Sequence, residues 1–282
     1  MKHIVRFFAA GAFLFGAWYV GSLLWFESSV FVAELMLDRR QPKHFVFDLH
    51  NVLIRGSFFK RLNLYLVNYA SKQGIPMYKV RITLQRVYPI MFGDFTRSAD
   101  LVEYGKEVKK VVLGQTKHKE FKGFLKKFFA KFASEITDSH ELELLEKVRL
   151  FVSDNDLFAS YAMQMLYGFK LAEKIHRKFG PQSLYVLADV SLDLLESYQK
   201  THRQLLYLFP VEHQMCTGQI GFAKPSREVY NAFLEKMGLP AHETVYIDNV
   251  RSHVEGAERC GMIGIHCSEN SVSLEALRRY LM

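Results

Sequence analysis

Cysteine is scarce: Cys216, Cys260 and Cys267 are an odd number, and none sits at CxxC spacing. That excludes a disulfide framework and a zinc site of the usual spacing, and it suits a reducing compartment. Charge is also sparse, at 23% of residues against 49% apolar, which excludes a disordered chain. Internal repeats and low-complexity tracts are absent. The formal charge of +8 comes without any nucleic-acid-binding motif. Nucleic acid is therefore not the expected anionic partner, which leaves phosphate esters and lipid headgroups. The 282 residues are enough to bury a substantial core in one large domain or two smaller ones.

The N-terminus carries the strongest physical signal. Residues 7–26, FFAAGAFLFGAWYVGSLLWF, contain no charge. At about 1.5 Å rise per residue they match the roughly 30 Å hydrocarbon core of a bilayer. Aromatics stand at both ends, where a membrane interface favours them. Ala12 and Gly16, then Ala17 and Gly21, are small-xxx-small pairs that let helices approach. A cleaved signal peptide is the competing reading, but it calls for a shorter apolar region and an A-x-A site. The expectation is a single-pass membrane protein with an anchor and linker over residues 1–40. Lys2 and Arg6 before the span and Arg39, Arg40 and Lys43 after it leave the orientation open.

Beyond Pro42 the pattern changes. HFVFD at 44–48, SLYVLA at 183–188, LLYLF at 205–209, TVYID at 244–248 and MIGIHC at 262–267 are short, apolar and rich in β-branched or aromatic residues. Such runs suit strands covered on both faces. Between them Pro225 opens a helix in which Val229, Tyr230, Phe233, Leu234 and Met237 recur at helical spacing, closed by Gly238 and Pro240. Strands alternating with helices predict an α/β fold, a Rossmann-like doubly wound parallel sheet. Ligands of such sheets bind beyond the carboxyl ends of the strands, where Asp48 and Asp248 both fall. A turn or N-cap carboxylate would explain Asp48 taken alone.

Four stretches in order, FVFDLHNVL, the strand ending at Ala188-Asp189, GFAKPSREVY at 221–230 and VYIDNVRSHVEGAERCGM at 245–262, resemble the motifs of the haloacid dehalogenase (HAD) superfamily. The resemblance leaves out the N-terminal 40 residues and most of 57–175. It implies a core from 41–56 plus 176–282 and an inserted helical cap over 57–175. It further implies Asp48 as a nucleophile that forms an aspartyl-phosphate. Mg²⁺ would lie among Asp48, the His50 backbone carbonyl, Asp248 and Asn249, because a hard cation takes oxygen ligands. Lys224 would balance the nucleophile and hold phosphoryl oxygens, with Ala188, Asp189 and Ser191 at the second phosphate-binding motif. A small phosphorylated substrate follows.

Three departures from the family's pattern stand out. The residue two after the nucleophile, usually an aspartate that protonates the leaving group, is His50. An imidazole with a pKa near 6.5 can do acid–base work at neutral pH, or it can simply lend its carbonyl to a metal. The second motif, which usually ends on Ser or Thr, has Ala188 followed by Asp189, so Ser191 substitutes only if its loop turns inward. The fourth motif pairs Asp248 with neutral Asn249 rather than with a second acid, which weakens Mg²⁺ binding and repels a phosphate less.

Residues 104–135 read as an amphipathic basic helix, with Phe121, Phe124, Leu125, Phe128 and Phe132 at spacings of 3 and 4 among many lysines. Its phenylalanines would pack into the cap, leaving a solvated lysine face that a nearby anchor could bring to anionic lipid. Two functional classes result. One is a membrane-anchored, Mg²⁺-dependent phosphatase using Asp48, His50 and Lys224; the other is a catalytically impaired relative that binds a ligand or partner in the same crevice. Dehalogenase or phosphonatase chemistry is a third and smaller option.

Overall fold

A computed structural model describes residues 42–55, 58–92, 99–268 and 271–272. The apolar stretch 7–26 lies outside the described residues, among which no helix is long and apolar enough to cross a membrane.

The core is a sheet built on β1 (His44–Phe47), with β4 (Leu184–Ala188) and β5 (Gln214–Cys216) on one side. On the other side lie β6 (Thr244–Asp248) and β7 (Ile263–Ser268). All five strands are parallel, and β8 (Ser271–Val272) adds an antiparallel edge. The register sets Phe45 between Leu184 and Val245. Side chains alternate strictly across the sheet. Phe45, Phe47, Val186 and Ile247 face one apolar cluster, and Val46, Tyr185, Leu187 and Tyr246 face the other. The first face is covered by α7 (Leu166–Phe179), α8 (Leu192–Thr201) and α9 (Arg203–Leu208), through residues such as Phe169, Leu195 and Leu205. The second is covered by α11 (Arg227–Met237) and α12 (Arg251–Glu258), through Val229, Phe233 and Ala257. Cover on both faces is what makes the strand sequences continuously apolar.

One predicted strand is a helix. LLYLF at 205–209 falls largely in α9: Leu205, Leu208 and Phe209 are buried, while Leu206 and Tyr207 are 39% and 73% exposed. That burial follows the three-to-four spacing of a helix, not the alternation of a strand. The strand of this region is the shorter Gln214–Cys216, which follows Pro210.

Between β1 and β4 the chain builds a helical insertion. Its helices are α1 (Phe58–Gln73), α2 (Met77–Phe92), α3 (Ala99–Val112), α4 (His118–Ala133), α5 (Ser139–Ser153) and α6 (Asn155–Ser160). They enclose a separate apolar core that includes Leu62, Leu66, Leu125, Phe128, Leu144 and Phe151. A two-residue antiparallel pair, β2 (Ile54–Arg55) with β3 (Met163–Gln164), ties the two stems of the insertion together. The lysine-rich stretch is two helices rather than one, broken at Gly114, whose φ of 66° is left-handed. A Cβ on Gly114 would lie 2.0 Å from the Gly218 carbonyl oxygen, so here the insertion touches the core as closely as backbone permits. Phe121, Leu125 and Phe128 point inward as expected, and Lys119, Lys122, Lys126 and Lys127 are exposed.

Candidate active site

The strand that opens the core delivers Asp48 to its carboxyl edge. The Asp48 N–H donates to the Ile247 carbonyl at 2.8 Å, the last rung of the ladder with β6. The backbone then closes a tight loop in which Leu53 N–H and Ile54 N–H both donate to the Leu49 carbonyl, with Asn51 at φ 59°. Apolar Leu49, Val52 and Leu53 are buried beneath this loop, while His50 lines the crevice and Asp48 lies buried where the strand ends.

Asp48, Lys224 and Asp248 converge as the motif order implied. The Lys224 ammonium, with only 1% of its side chain exposed, donates to Asp48 Oδ1 at 2.6 Å, Asp248 Oδ2 at 3.2 Å and the Leu187 carbonyl at 3.3 Å. Asp189 Oδ2 lies 3.6 Å from the same nitrogen. Burial pulls the Lys224 ammonium down, but the three carboxylates outweigh it and hold it above the usual lysine range. Burial lifts the Asp48 carboxyl to about 6 against the pull of Lys224, and neighbouring Asp248 adds to the rise. Asp248 moves the other way, to about 2: His253, Lys224, Tyr246 and the Val250 N–H together overcome its burial. Its Oδ2 accepts from Tyr246 Oη at 2.6 Å and from His253 Nδ1 at 3.1 Å, and its Oδ1 accepts from Val250 N–H at 2.8 Å. Two carboxylates on one ammonium thus have unlike characters. Asp248 is a fixed anion, whereas the Asp48 carboxylate is held by one oxygen and accepts no other hydrogen bond among the described residues.

The remaining predicted positions are spread around this centre. Ala188 ends β4 fully buried and offers only backbone. Asp189 is partly exposed, and its Oδ1 accepts a long 3.4 Å bond from the Lys224 N–H. Ser191 lies on the crevice wall, where its hydroxyl caps α8 by accepting from Leu194 N–H at 3.3 Å. Asn249 accepts through its carbonyl from His266 Nε2 at 3.0 Å.

His50 belongs to a chain of groups that its motif did not reveal. Arg61, on α1 and 2% exposed, donates from Nη1 to Tyr198 Oη at 2.7 Å, and Tyr198 Oη is 2.9 Å from His50 Nε2. Arg61 can only donate, and the Tyr198 hydroxyl proton has His50 Nε2 as its one acceptor among the described residues. The imidazole therefore accepts at Nε2 and carries its proton on Nδ1. Burial, then the positive charges of Arg61 and Lys224, pull its pKa down to about 3. Tyr246 and His253 were equally unforeseen. Tyr246 stands two residues before Asp248 on the same strand face, a relation that period-two reading could have found. Arg61 had no such signal, because only the packing of α1 on the core brings it there.

Among the described residues no group of three or more His, Cys, Asp or Glu side chains is placed to hold a metal ion by itself. Mg²⁺ does not require such a cage, since it is commonly held by one or two carboxylates, waters and the substrate's own phosphate. The donors here suit it: Asp48 has an oxygen to spare, Asp248 is an ionised carboxylate, and three carboxylates face one ammonium. A phosphate dianion entering that surplus of negative charge needs a cation beside it.

A comparison with protein-family models gives no match, nor does one with curated proteins. Solved structures do match. The magnesium complex of a HAD family enzyme from Bacteroides thetaiotaomicron is 15% identical, covers 84% of this chain and 98% of its own, and superposes with a TM-score of 0.53. The wild-type form of that enzyme, in complex with magnesium and inorganic phosphate, is 16% identical over 81% of this chain and 95% of its own, with a TM-score of 0.52. At such identities the likeness is one of architecture, and it agrees with the sheet order and the insertion: the chain has the HAD-like fold, a Rossmann-type parallel sheet with an inserted helical cap.

Proposed function

We propose that this protein is a phosphohydrolase that transfers the phosphoryl group of a small phosphate ester to Asp48 and then to water. The observation that carries the reading is the Lys224 ammonium, buried between Asp48 and Asp248 at the carboxyl ends of β1 and β6. Asp48 attacks phosphorus through its freer oxygen, the bond to the leaving oxygen breaks, and hydrolysis of the resulting acyl phosphate returns the carboxylate. Lys224 steers the nucleophile and offsets charge on the phosphoryl oxygens. Asp48, Asp248 and the His50 carbonyl would hold Mg²⁺, beside Asn249, and the ion would supply charge neutralisation at the phosphoryl group. His50, neutral and pinned by Tyr198, is a hydrogen-bond donor through Nδ1 rather than a strong acid. Esters whose leaving group departs without a proton should therefore react best. In this reading residues 7–26 anchor the enzyme in a membrane, and the lysine faces of α3 and α4 meet anionic headgroups.

A second reading, a catalytically impaired binder of a ligand or partner, is favoured by that same lack of an acid at His50. Turnover of para-nitrophenyl phosphate by the full chain, with and without Mg²⁺, separates the two. Mg²⁺-dependent release of phosphate that Asp48→Asn abolishes supports the hydrolase. No release, together with no calorimetric Mg²⁺ binding, supports the binder.

A further inference from the structure

Beside His50, two residues after the candidate nucleophile, and next to Asp189, a cavity of about 820 Å³ separates the insertion from the core. Its size falls in the range of small-molecule sites, roughly 300–1,000 Å³. One end is polar, with His50, Asp189 and Ser191. The rest of the wall is mostly apolar, with Phe58, Tyr104, Val108, Val112, Phe121 and Phe158 supplied by four helices of the insertion; Lys106, Lys109, His118 and Asn155 are its other polar members. A sugar or nucleotide phosphate would set most of its hydroxyls against the aromatic and valine part of this wall, and burying them there without partners would be costly.

We infer that the cavity takes the leaving group of the substrate and that this group is a bulky apolar body, so that the substrate class is phosphate monoesters of apolar phenols and comparably acidic alcohols, whose oxygen departs without a proton. The inference rests on the hydrolase reading for the position of the phosphate. The cavity's own chemistry sets the rest. The phosphate stays at Lys224, the apolar body lies against the aromatic and valine wall, and the two lysines flank the opening.

The test uses n-alkylphosphonates from methyl to hexyl, non-hydrolysable mimics of the monoester, titrated into the full wild-type chain by calorimetry. Affinity should rise about two- to fourfold per added methylene, the gain expected for burying a CH₂ group. Val112→Trp, which fills the cavity, should flatten the series and leave methylphosphonate binding unchanged. Val112→Ala should keep the rise, which controls for misfolding. A flat wild-type series overturns the inference. So does an equal slope in Val112→Trp, which would assign the gain to non-specific partition. Turnover of para-nitrophenyl phosphate, measured in parallel, reports on the hydrolase reading alone. Turnover with a flat phosphonate series rejects the apolar cavity and keeps the hydrolase. A rising series without turnover keeps the apolar site and rejects the hydrolase.

Discussion

Replacing Lys224 with Met should destabilise the fold severely, and more so as pH rises. The ammonium lies 2.6 Å from Asp48 and 3.2 Å from Asp248, so at an effective dielectric near 20 its attractions amount to about 6 and about 5 kcal/mol. Part of that is offset because an ammonium no longer has to be desolvated, a cost of several kcal/mol. Two buried carboxylates left without their counter-charge then cost about 3–5 kcal/mol in net stability. For a chain of this size that corresponds to a fall in Tm of roughly 6–20 °C. The sign of the pH dependence follows from the carboxyls. Burial already holds Asp48 at about 6, above its ordinary value; loss of the ammonium raises it further and lifts Asp248 from its depressed value near 2. A raised folded-state pKa gives stability at low pH that is lost as pH climbs through it. Thermal unfolding of wild type and Lys224→Met should therefore differ most near pH 8 and least near pH 5. A variant within 2 °C of wild type at pH 8, on the roughly 2–4 °C per kcal/mol scale, would refute the claim that Lys224 compensates two buried anions.

Tyr198→Phe removes the shared partner of Arg61 and His50 and leaves one buried and one half-buried polar group unsatisfied. Denaturant unfolding should show a loss of about 2–5 kcal/mol, and an unchanged midpoint would show that the chain of bonds does not form. His50 is held neutral, its pKa depressed from 6.5 to about 3, so it lends stability above pH 6.5 that drains away as pH falls toward 3. A His50→Gln protein should lack this slope, up to about 1.4 kcal/mol per pH unit, when Tm is followed from pH 7 to 4. Gly168→Ala would drive a Cβ to 1.9 Å from the Val52 carbonyl, forcing α7 away from the loop that carries Asp48 and His50. A fall in Tm of at least several degrees is expected, and an unshifted Tm would mean that the loop yields without cost.

How much of this could be read beforehand depended on how local each signal was. Asp48 and Asp248 each end a short apolar strand, so the parallel-sheet rule alone makes both visible, whereas Lys224, an ordinary lysine before a proline when taken alone, stands out only through the motif order of the resemblance. LLYLF misled because a five-residue apolar run carries too little length to separate strand from helix, and only the exposure of Leu206 and Tyr207 decides it. The lysine-rich stretch reads as one helix because the spacing of its phenylalanines and its lysine content carry no signal of the break at Gly114. Its left-handed backbone and its approach to Gly218 are tertiary facts. Arg61 and Tyr198 were invisible for the same reason: they lie 137 residues apart, and no spacing rule joins them. The same holds for the electrostatics of His50. The sequence presented a residue able to titrate near neutrality, and the surrounding positive charge and burial removed that ability.

The central claim is that Asp48 receives a phosphoryl group, and the most direct measurement is the mass of the Asp48-containing peptide after acid quench during turnover of para-nitrophenyl phosphate. A phosphoryl adduct is expected on that peptide, localised to Asp48 by fragmentation and absent in Asp48→Asn. Phosphate release at full rate with no adduct on Asp48, or with the same rate in Asp48→Asn, would contradict it.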